Sequence, residues 1–172
     1  RELPNAALRL PIGILRSNNK LDLVMIAGEL NGKSLYIDSK GKWLVHHLPS
    51  IFRYYPFVLA RTEENKMILC FDEKSGLMSD EIEGTPFFDE AGELADEVKK
   101  IWIGLQEREG DKLITDAMLT ELEKQDLLEP WSINLKEADI TKSIKGILRI
   151  SEIKVNSLPD ADFLKLRKNG AL

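Results

Sequence analysis

The amino-acid sequence predicts an α+β fold: an antiparallel sheet meander with helices packed on it, two late strands and a short C-terminal helix. Short apolar runs separated by Asn, Gly, Asp and Pro fill roughly the first half of the chain, as expected for antiparallel strands. From residue 91 onward, apolar residues instead recur every three or four positions, which is typical of amphipathic helices. Strands and helices segregated in this way favour α+β over a parallel doubly wound sheet.

The first strands are predicted from apolar runs on either side of an asparagine turn. Residues 8–15 (LRLPIGIL) contain Pro11, which cannot donate to a sheet ladder, so we expect an edge strand or a strand with a bulge. Residues 17–19 (SNN) predict a turn, because Asn tolerates positive φ. Residues 21–27 (LDLVMIA) predict a strong, largely buried strand, and residues 35–37 predict a short one.

The aromatic-rich stretch 41–76 contains the clearest hairpin signal in the chain. Two apolar runs, 57–61 and 67–72, lie on either side of the polar turn TEENK, which predicts a β-hairpin. Ahead of them, residues 49–54 predict a short helix with a proline at its start, where the missing N–H group costs nothing.

The helical part of the chain is predicted to begin near residues 91–94. One face of this helix carries Leu94, Val98, Ile101, Trp102 and Leu105. A second helical run covers residues 111–125, with apolar residues at Leu113, Ile114, Ala117, Met118 and Leu122. Gly110 separates the two runs, and it either bends the chain or merely weakens one long helix.

Two late strands and a final helix complete the predicted elements. Residues 131–135 (WSINL) and 144–150 (IKGILRI) are apolar runs, and we expect them to pair across the polar connector KEADITKS. Residues 159–168 predict a short helix that ends at Asn169-Gly170. The chain of 172 residues is expected to form a single domain, with a sub-boundary near residue 90.

Composition excludes some classes of function. A net charge of −5 disfavours a general nucleic-acid binder, whose footprint is a basic patch. No apolar run approaches the ~20 residues that a membrane helix needs, so we expect no membrane span. The lone Cys70 excludes an intrachain disulfide and, with no visible targeting signal, favours the cytoplasm. The chain begins at Arg1, so a preceding signal peptide stays open.

Three segments place an aspartate after an apolar residue and a glycine three or four residues later. They are Asp38–Gly41, Asp72–Gly76 and Asp89–Gly92. These segments predict turns, in which Asp bonds its own backbone and Gly takes positive φ. The alternative is a cation loop, but the spacing lacks the alternating acids and terminal Glu of a calcium site. We therefore expect no metal there.

Neither histidine nor the cysteine forms a recognised catalytic or metal-binding pattern. His46 and His47 are adjacent, so their side chains point apart and make a poor chelating pair; a surface or loop role is expected. Cys70 lies among apolar residues in MILCF, with no neighbouring cation to lower its pKa, and is read as a small apolar residue. No catalytic residue, metal or cofactor is predicted.

The segment 72–97 is strongly acidic, because ten acidic residues and a single lysine give it a net charge of −9. We interpret it as a solvated loop followed by acids that favour a helix N-terminus, although a cation or a basic partner is an alternative. Within it, Pro86-Phe87-Phe88 predicts an anchor that fixes the loop onto the sheet. The alternative interpretation is a substrate-binding slot for an aromatic ring.

Six short motifs together resemble the SapC family of bacterial proteins, named after a protein linked to the secretion or assembly of paracrystalline surface layers. The motifs are ELPNAALRLPIG at Glu2, KWLVHHLPSIFRYYPFVLAR at Lys42, MILCFDEKSGL at Met67, EGTPFFDEAGE at Glu83, LLEPWSINL at Leu127 and SLPDADFLKLRKNGAL at Ser157. The resemblance covers nearly the whole chain. It implies a role in surface-layer biology and supplies no catalytic residues.

Two hypotheses about function follow. The first is a non-enzymatic accessory or binding protein with a protein partner, an exported or surface-layer protein. Aromatic residues are enriched at binding hot spots, so they are the expected anchors. The predicted binding residues are Trp43, Tyr54, Tyr55, Phe57, Arg61, Asp72, Phe87 and Phe88.

The second hypothesis is a small-molecule-binding protein or enzyme with a cleft beside the hairpin. It would use Arg61, Asp72 and either His46 or His47, with the arginine holding a carboxylate or phosphate. The competing structural interpretation, which we favour, is a salt bridge between Arg61 and Asp72 across the hairpin.

Overall fold

A computed structural model of the protein describes residues 2–30, 33–79, 84–137 and 140–171. Its helices are α1 (Leu3–Ala7), α2 (Ser50–Arg53), α3 (Asp96–Lys124), α4 (Glu152–Asn156) and α5 (Asp160–Lys168). Its strands are β1 (Ile12–Ser17), β2 (Lys20–Met25), β3 (Glu29–Leu30), β4 (Lys33–Ser34), β5 (Phe57–Arg61), β6 (Met67–Phe71), β7 (Leu128–Pro130), β8 (Ile133–Glu137), β9 (Ile140–Ile144) and β10 (Ile147–Ile150). These helices and antiparallel strands confirm the predicted α+β class.

The largest sheet has four antiparallel strands in the order β2-β1-β10-β7. β1 lies inside this sheet, with Ile14 opposite Leu23 on one side and Leu148 on the other. The predicted edge position of this segment is therefore wrong. The reason is that Pro11 precedes Ile12, the first residue of the strand, and so removes no donor from the ladder.

The hairpin that joins β1 to β2 has the predicted asparagine turn. Asn18 and Asn19 have φ angles of 49° and 60°, the left-handed values that a two-residue hairpin loop needs. β2 lies at the sheet edge, so only Leu21 is fully buried and the other residues from Asp22 to Met25 are half-buried. The expectation of a largely buried strand is wrong for this reason.

The two late strands do not pair with each other as predicted. β8 pairs with β9, which places Ile133 opposite Ile144, so part of the expected connector is itself a strand. β10 instead joins the main sheet between β1 and β7. Gly146 has a φ of 85°, a conformation that favours glycine, and it divides the single predicted strand into β9 and β10.

The helical region is one continuous helix, α3, of 29 residues. It begins at Asp96 rather than near residues 91–94, because Leu94 forms an isolated bridge with Phe88. Gly110 lies inside the helix without ending it. On the predicted face of the first half, Val98 and Leu105 are buried; in the second half Leu119 and Leu122 are buried, whereas Leu113 and Ile114 are exposed.

The hairpin and the two predicted short helices are formed. β5 and β6 pair from Phe57 opposite Phe71 to Arg61 opposite Met67. Pro49 directly precedes α2, as expected for a helix that begins with proline. α5 ends at Lys168 and is followed, after Asn169, by Gly170 with a φ of 75°.

The chain divides into two compact units. The sheet unit comprises residues 1–47 and 113–172, and the hairpin unit comprises residues 48–112. Neither boundary lies near residue 90, where a sub-boundary was expected, and the single-domain organisation stays a prediction. Among the described residues, no helix combines the length and the apolar character that crossing a bilayer requires.

The core of the sheet unit is formed by residues from the sheet, the second half of α3 and the C-terminal segment. It contains Ile14, Leu21, Leu119, Leu122, Leu127, Leu166 and Ala171. Because the last helix contributes the fully buried Leu166, the C-terminal segment is part of this core.

Candidate functional site

The predicted binding residues fall into two groups, one in each unit. Trp43 lies in the sheet unit, between β4 and α2. The other seven lie in the hairpin unit; they are Tyr54, Tyr55, Phe57, Arg61, Asp72, Phe87 and Phe88. Their role in binding stays a prediction, but the geometry of each group is defined.

Trp43 lies in an open surface depression of about 670 Å³, which we name the Trp43 groove. Its lining residues are Leu8, Arg9, Lys42, Trp43, Leu44, Val45 and His46. The indole Nε1 of Trp43 donates a hydrogen bond of 3.0 Å to the carbonyl oxygen of His47. Its ring packs against Tyr36, with ring centroids 5.8 Å apart. These two contacts set the orientation of the aromatic wall of the groove.

The loop after Ile37 positions the lysine and tryptophan of the groove. The Asp38 Oδ1 atom accepts hydrogen bonds from the backbone N–H groups of Lys40 and Lys42, each at 2.8 Å. Ile37 and Trp43 form an isolated bridge across the loop, and Gly41 has a φ of 80°. This confirms the predicted turn. The short strand expected at residues 35–37 is wrong, since this stretch forms only the bridge at Ile37.

The two histidines lie in a loop, as predicted, and their side chains differ in surroundings. His46 is exposed and lines the Trp43 groove. His47 is half-buried, and its Nε2 atom lies 3.0 Å from the Glu2 carboxylate. Within the described ranges, no group of three or more His, Cys, Asp or Glu side chains is arranged to hold a metal ion.

In the hairpin unit, Phe87 packs onto the hairpin as the predicted anchor. Its ring centroid lies 5.6 Å from that of Phe57 and 5.4 Å from that of Phe71, which is a usual spacing for favourable aromatic pairs. Phe57 and Phe71 are directly opposite on β5 and β6. The adjacent Phe88 is instead 59% exposed, so only one of the two phenylalanines serves as the anchor.

The two tyrosines before the hairpin make different contacts. Tyr54 is half-buried and places its phenol against Gly104 of α3, so closely that a side chain at Gly104 would overlap the hydroxyl. Tyr55 donates a hydrogen bond of 3.2 Å from its hydroxyl to Asp72 Oδ2. Partial burial and the hydrogen bond and charge of Asp72 raise the pKa of Tyr55.

The expected salt bridge between Arg61 and Asp72 is wrong. Arg61 is opposite Met67 beside the turn, and Asp72 follows Phe71 at the other end of the hairpin. Four residues of strand separate those ends, a distance of roughly 13 Å. Arg61 instead donates a hydrogen bond of 3.0 Å from Nη1 to Asn65 Oδ1 within the turn. The two side chains therefore do not line one cleft.

Asp89–Gly92 is a turn, as predicted, and Asp72–Gly76 closes as a single 3-10 turn, Glu73–Ser75, with Asp72 as its N-cap. Asp72 Oδ1 accepts a hydrogen bond of 2.9 Å from the Lys74 N–H group, and Gly76 has a φ of 70°. Asp89 Oδ1 accepts hydrogen bonds from the N–H groups of Ala91 and Glu93. The part of the acidic segment at residues 80–83 lies outside the described residues.

An exposed apolar face of the hairpin was not predicted as a site. Side chains alternate between the two faces of a strand, so Val58, Ala60, Ile68 and Cys70 share the face opposite Phe87. We name these four residues the open hairpin face. Val58 is 48% exposed and Ile68 is 44% exposed, while Ala60 and Cys70 are half-buried. The signal in the sequence is that residues 57–60 and 67–71 are all apolar, so neither face of the hairpin is polar along these stretches.

Comparison with known proteins places the whole chain in one family. The family model SapC matches residues 1–172. No curated protein and no solved structure matches the chain. The match includes the segments around Trp43, along the hairpin and at Phe87. The chain belongs to the SapC family.

Proposed function

We propose that this SapC-family chain is a non-enzymatic accessory protein that binds a protein partner and thereby supports secretion or assembly of a surface-layer protein. The family resemblance supports the link to surface layers. The observation that carries the binding role is the open hairpin face, an apolar surface on a two-stranded sheet.

The physical argument rests on how apolar this small sheet is. Isolated two-stranded hairpins are marginal in water and are usually stabilised by packing. Phe87 packs on one face of the hairpin, against Phe57 and Phe71. Val58 and Ile68 on the other face retain 48% and 44% of their exposure, so a partner that covered them would gain about 1 kcal/mol from each.

The strand edges add a second means of contact. Among the described residues, β5 and β6 pair only with each other, so each strand has a free edge with unpaired backbone groups. Such edges are positions where an extended segment of a partner adds as a further strand. An apolar segment that lies on the open hairpin face or along its edge is therefore the partner element that this surface fits.

The test replaces Val58 and Ile68 together by Ser in the organism that encodes the chain. Quantitative mass spectrometry of the cell-envelope fraction then measures the surface-layer protein. We expect a loss of about tenfold, because removing two apolar contacts costs more than 1.4 kcal/mol of binding. The melting temperature of the purified variant should change little, since both side chains are about half exposed.

A matched control replaces Leu113 and Ile114 by Ser. These residues are 66% and 58% exposed on α3 and lie outside the hairpin unit. The control removes two exposed apolar side chains in the same way, but away from the open hairpin face. Normal levels of the surface-layer protein are therefore expected. A V58S/I68S strain with wild-type levels of surface-layer protein, or equal loss in the control strain, would contradict the proposal.

A further inference from the structure

The Trp43 groove combines positive charge with exposed apolar side chains. Arg9 and Lys42 are both exposed, and none of the seven lining residues is acidic. Among the described residues neither cation has an ion-pair partner, although the chain as a whole carries a net charge of −5. The groove is therefore a local exception to the acidic character of the protein.

The carboxylates nearest in sequence are already engaged. Glu2 lies 3.0 Å from His47 Nε2. Asp38 accepts the N–H groups of its own loop, including that of Lys42, through one oxygen. Among the described residues neither acid forms an ion pair with Arg9 or Lys42, so both cations can bind an anion from outside. Arginine suits a carboxylate well, since its guanidinium donates two parallel hydrogen bonds.

The apolar half of the groove is unusually exposed. Leu8 is 82% exposed and Leu44 is 59% exposed, and both line the same depression as Trp43. An indole that is already fixed loses little conformational freedom on binding, so it is a favourable anchor. The His46 ring adds a further polar group at the same surface.

We propose that the Trp43 groove binds an acidic peptide segment of a partner protein in which carboxylates alternate with apolar side chains. Carboxylates would bind Arg9 and Lys42, and apolar side chains would cover Leu8, Leu44 and the indole. The depression is open, whereas small-molecule sites bury about 70–90% of their ligand, so an extended chain fits it better. The site is in the sheet unit and does not depend on the open hairpin face.

The test uses a short fluorescein-labelled peptide in which Glu and Leu alternate, with fluorescence anisotropy as the measurement. We expect binding that weakens as salt is added, since exposed charges are screened. Lys42→Glu should weaken binding by about tenfold or more, because it replaces an attraction by a repulsion. Lys40→Glu makes the same charge change in the same loop, outside the groove, and should weaken binding by less than about threefold.

Two further arms separate charge from apolar contact. The same peptide with Gln in place of Glu should bind at least about tenfold more weakly. We expect the tryptophan emission of the protein to change when the peptide binds. Trp43→Phe should remove this change, whereas Trp131→Phe should not. The proposal would be overturned if the peptide did not bind, if the K40E and K42E proteins bound it equally, or if the Gln peptide bound as tightly. It would also be overturned if polygalacturonate, an acidic polysaccharide, bound more tightly than the peptide.

Discussion

The sheet unit and the hairpin unit differ in how many of their apolar residues they bury. Of the thirteen buried apolar residues in the described part of the chain, ten belong to the sheet unit and three to the hairpin unit. The hairpin unit, with residues 48–112, nevertheless has ten of the twenty large apolar residues that are exposed in the described part. The difference shows that most of the apolar core belongs to the sheet unit, whereas the smaller hairpin unit leaves more of its apolar side chains exposed than buried.

The largest expected effect is loss of a core side chain in the sheet unit. Leu166→Ala should lower the free energy of unfolding by about 2–5 kcal/mol, because Leu166 is fully buried in the core. Ile68→Ala on the open hairpin face should cost less than about 1.5 kcal/mol, since the side chain is 44% exposed. Urea unfolding followed by circular dichroism measures both; similar costs would remove the contrast between the units.

A pair of glycines in α3 tests how the hairpin unit is packed. Gly104→Ala should cost about 1–3 kcal/mol, because the new side chain meets the Tyr54 ring. Gly110→Ala should instead add about 0.5–1 kcal/mol of stability, since nothing lies within 4 Å and alanine favours the helix. In a Tyr54→Ala background the cost of Gly104→Ala should disappear. A persistent cost there would show that the ring contact is not its origin.

The Asp-Gly loops give an effect that should be equal in both units. Gly41 and Gly92 have φ angles of 80° and 79°, and neither has an atom within 4 Å of where a side chain would begin. Alanine at either position should therefore cost about 1–2 kcal/mol through the backbone alone. Thermal unfolding measures both variants. A cost at Gly41 only would show that the two loops are not equivalent.

The smallest expected effect is the pH dependence contributed by Glu121 and Lys165 in the sheet unit. Hydrogen bonds from Lys165 and Gln125 lower the pKa of Glu121 below 4.5, and Glu121 raises the pKa of Lys165 above 10.5. The glutamate contribution is present above pH 4.5 and is lost as the pH falls through the lowered pKa; the lysine contribution is present below pH 10.5 and is lost as the pH rises through the raised pKa.

Glu121→Gln should therefore lower the melting temperature slightly at neutral pH and reduce its decline below pH 4.5. Glu152→Gln is the control, because it makes the same change at an exposed position of α4 in the same unit. Melting temperatures measured across the acid range decide the matter. An acid decline that is as steep in the Gln variant as in the wild type would remove Glu121 as its cause.

Local chemistry explains which features were predictable from the sequence. The aspartate turns, the β5–β6 hairpin and the start of α2 at Pro49 depend on residues within a few positions of each other, and all were predicted. β10, by contrast, finds its partners at β1 and β7 across the chain, which no local pattern specifies. Gly146 was the available sign that the run before it would become a separate strand.

In the candidate site, too, features that depend on distant segments were not predictable from local sequence. Phe87 was predicted as the anchor of its loop and packs on Phe57 and Phe71, whereas the binding role of Trp43 stays a prediction. The pairing of Arg61 with Asp72 failed because opposite charge was considered without the hairpin register. The open hairpin face was missed because exposure of Val58 and Ile68 depends on what packs against each side of the hairpin, and that packing comes from distant segments.

The loops IDSKGKW and FDEAGEL close through the same bonds: an aspartate oxygen that accepts two amides, a bridge between the flanking apolar residues, and a left-handed glycine. Shape is encoded there by Asp and Gly alone, whereas the spacer positions carry Lys40 and Lys42 in one copy and Glu90 and Glu93 in the other. Mutation at these spacer positions can therefore change the charge of either loop from positive to negative, or the reverse, without breaking the hydrogen bonds that close it. The charge that a loop presents to a ligand can thus evolve independently of its backbone conformation.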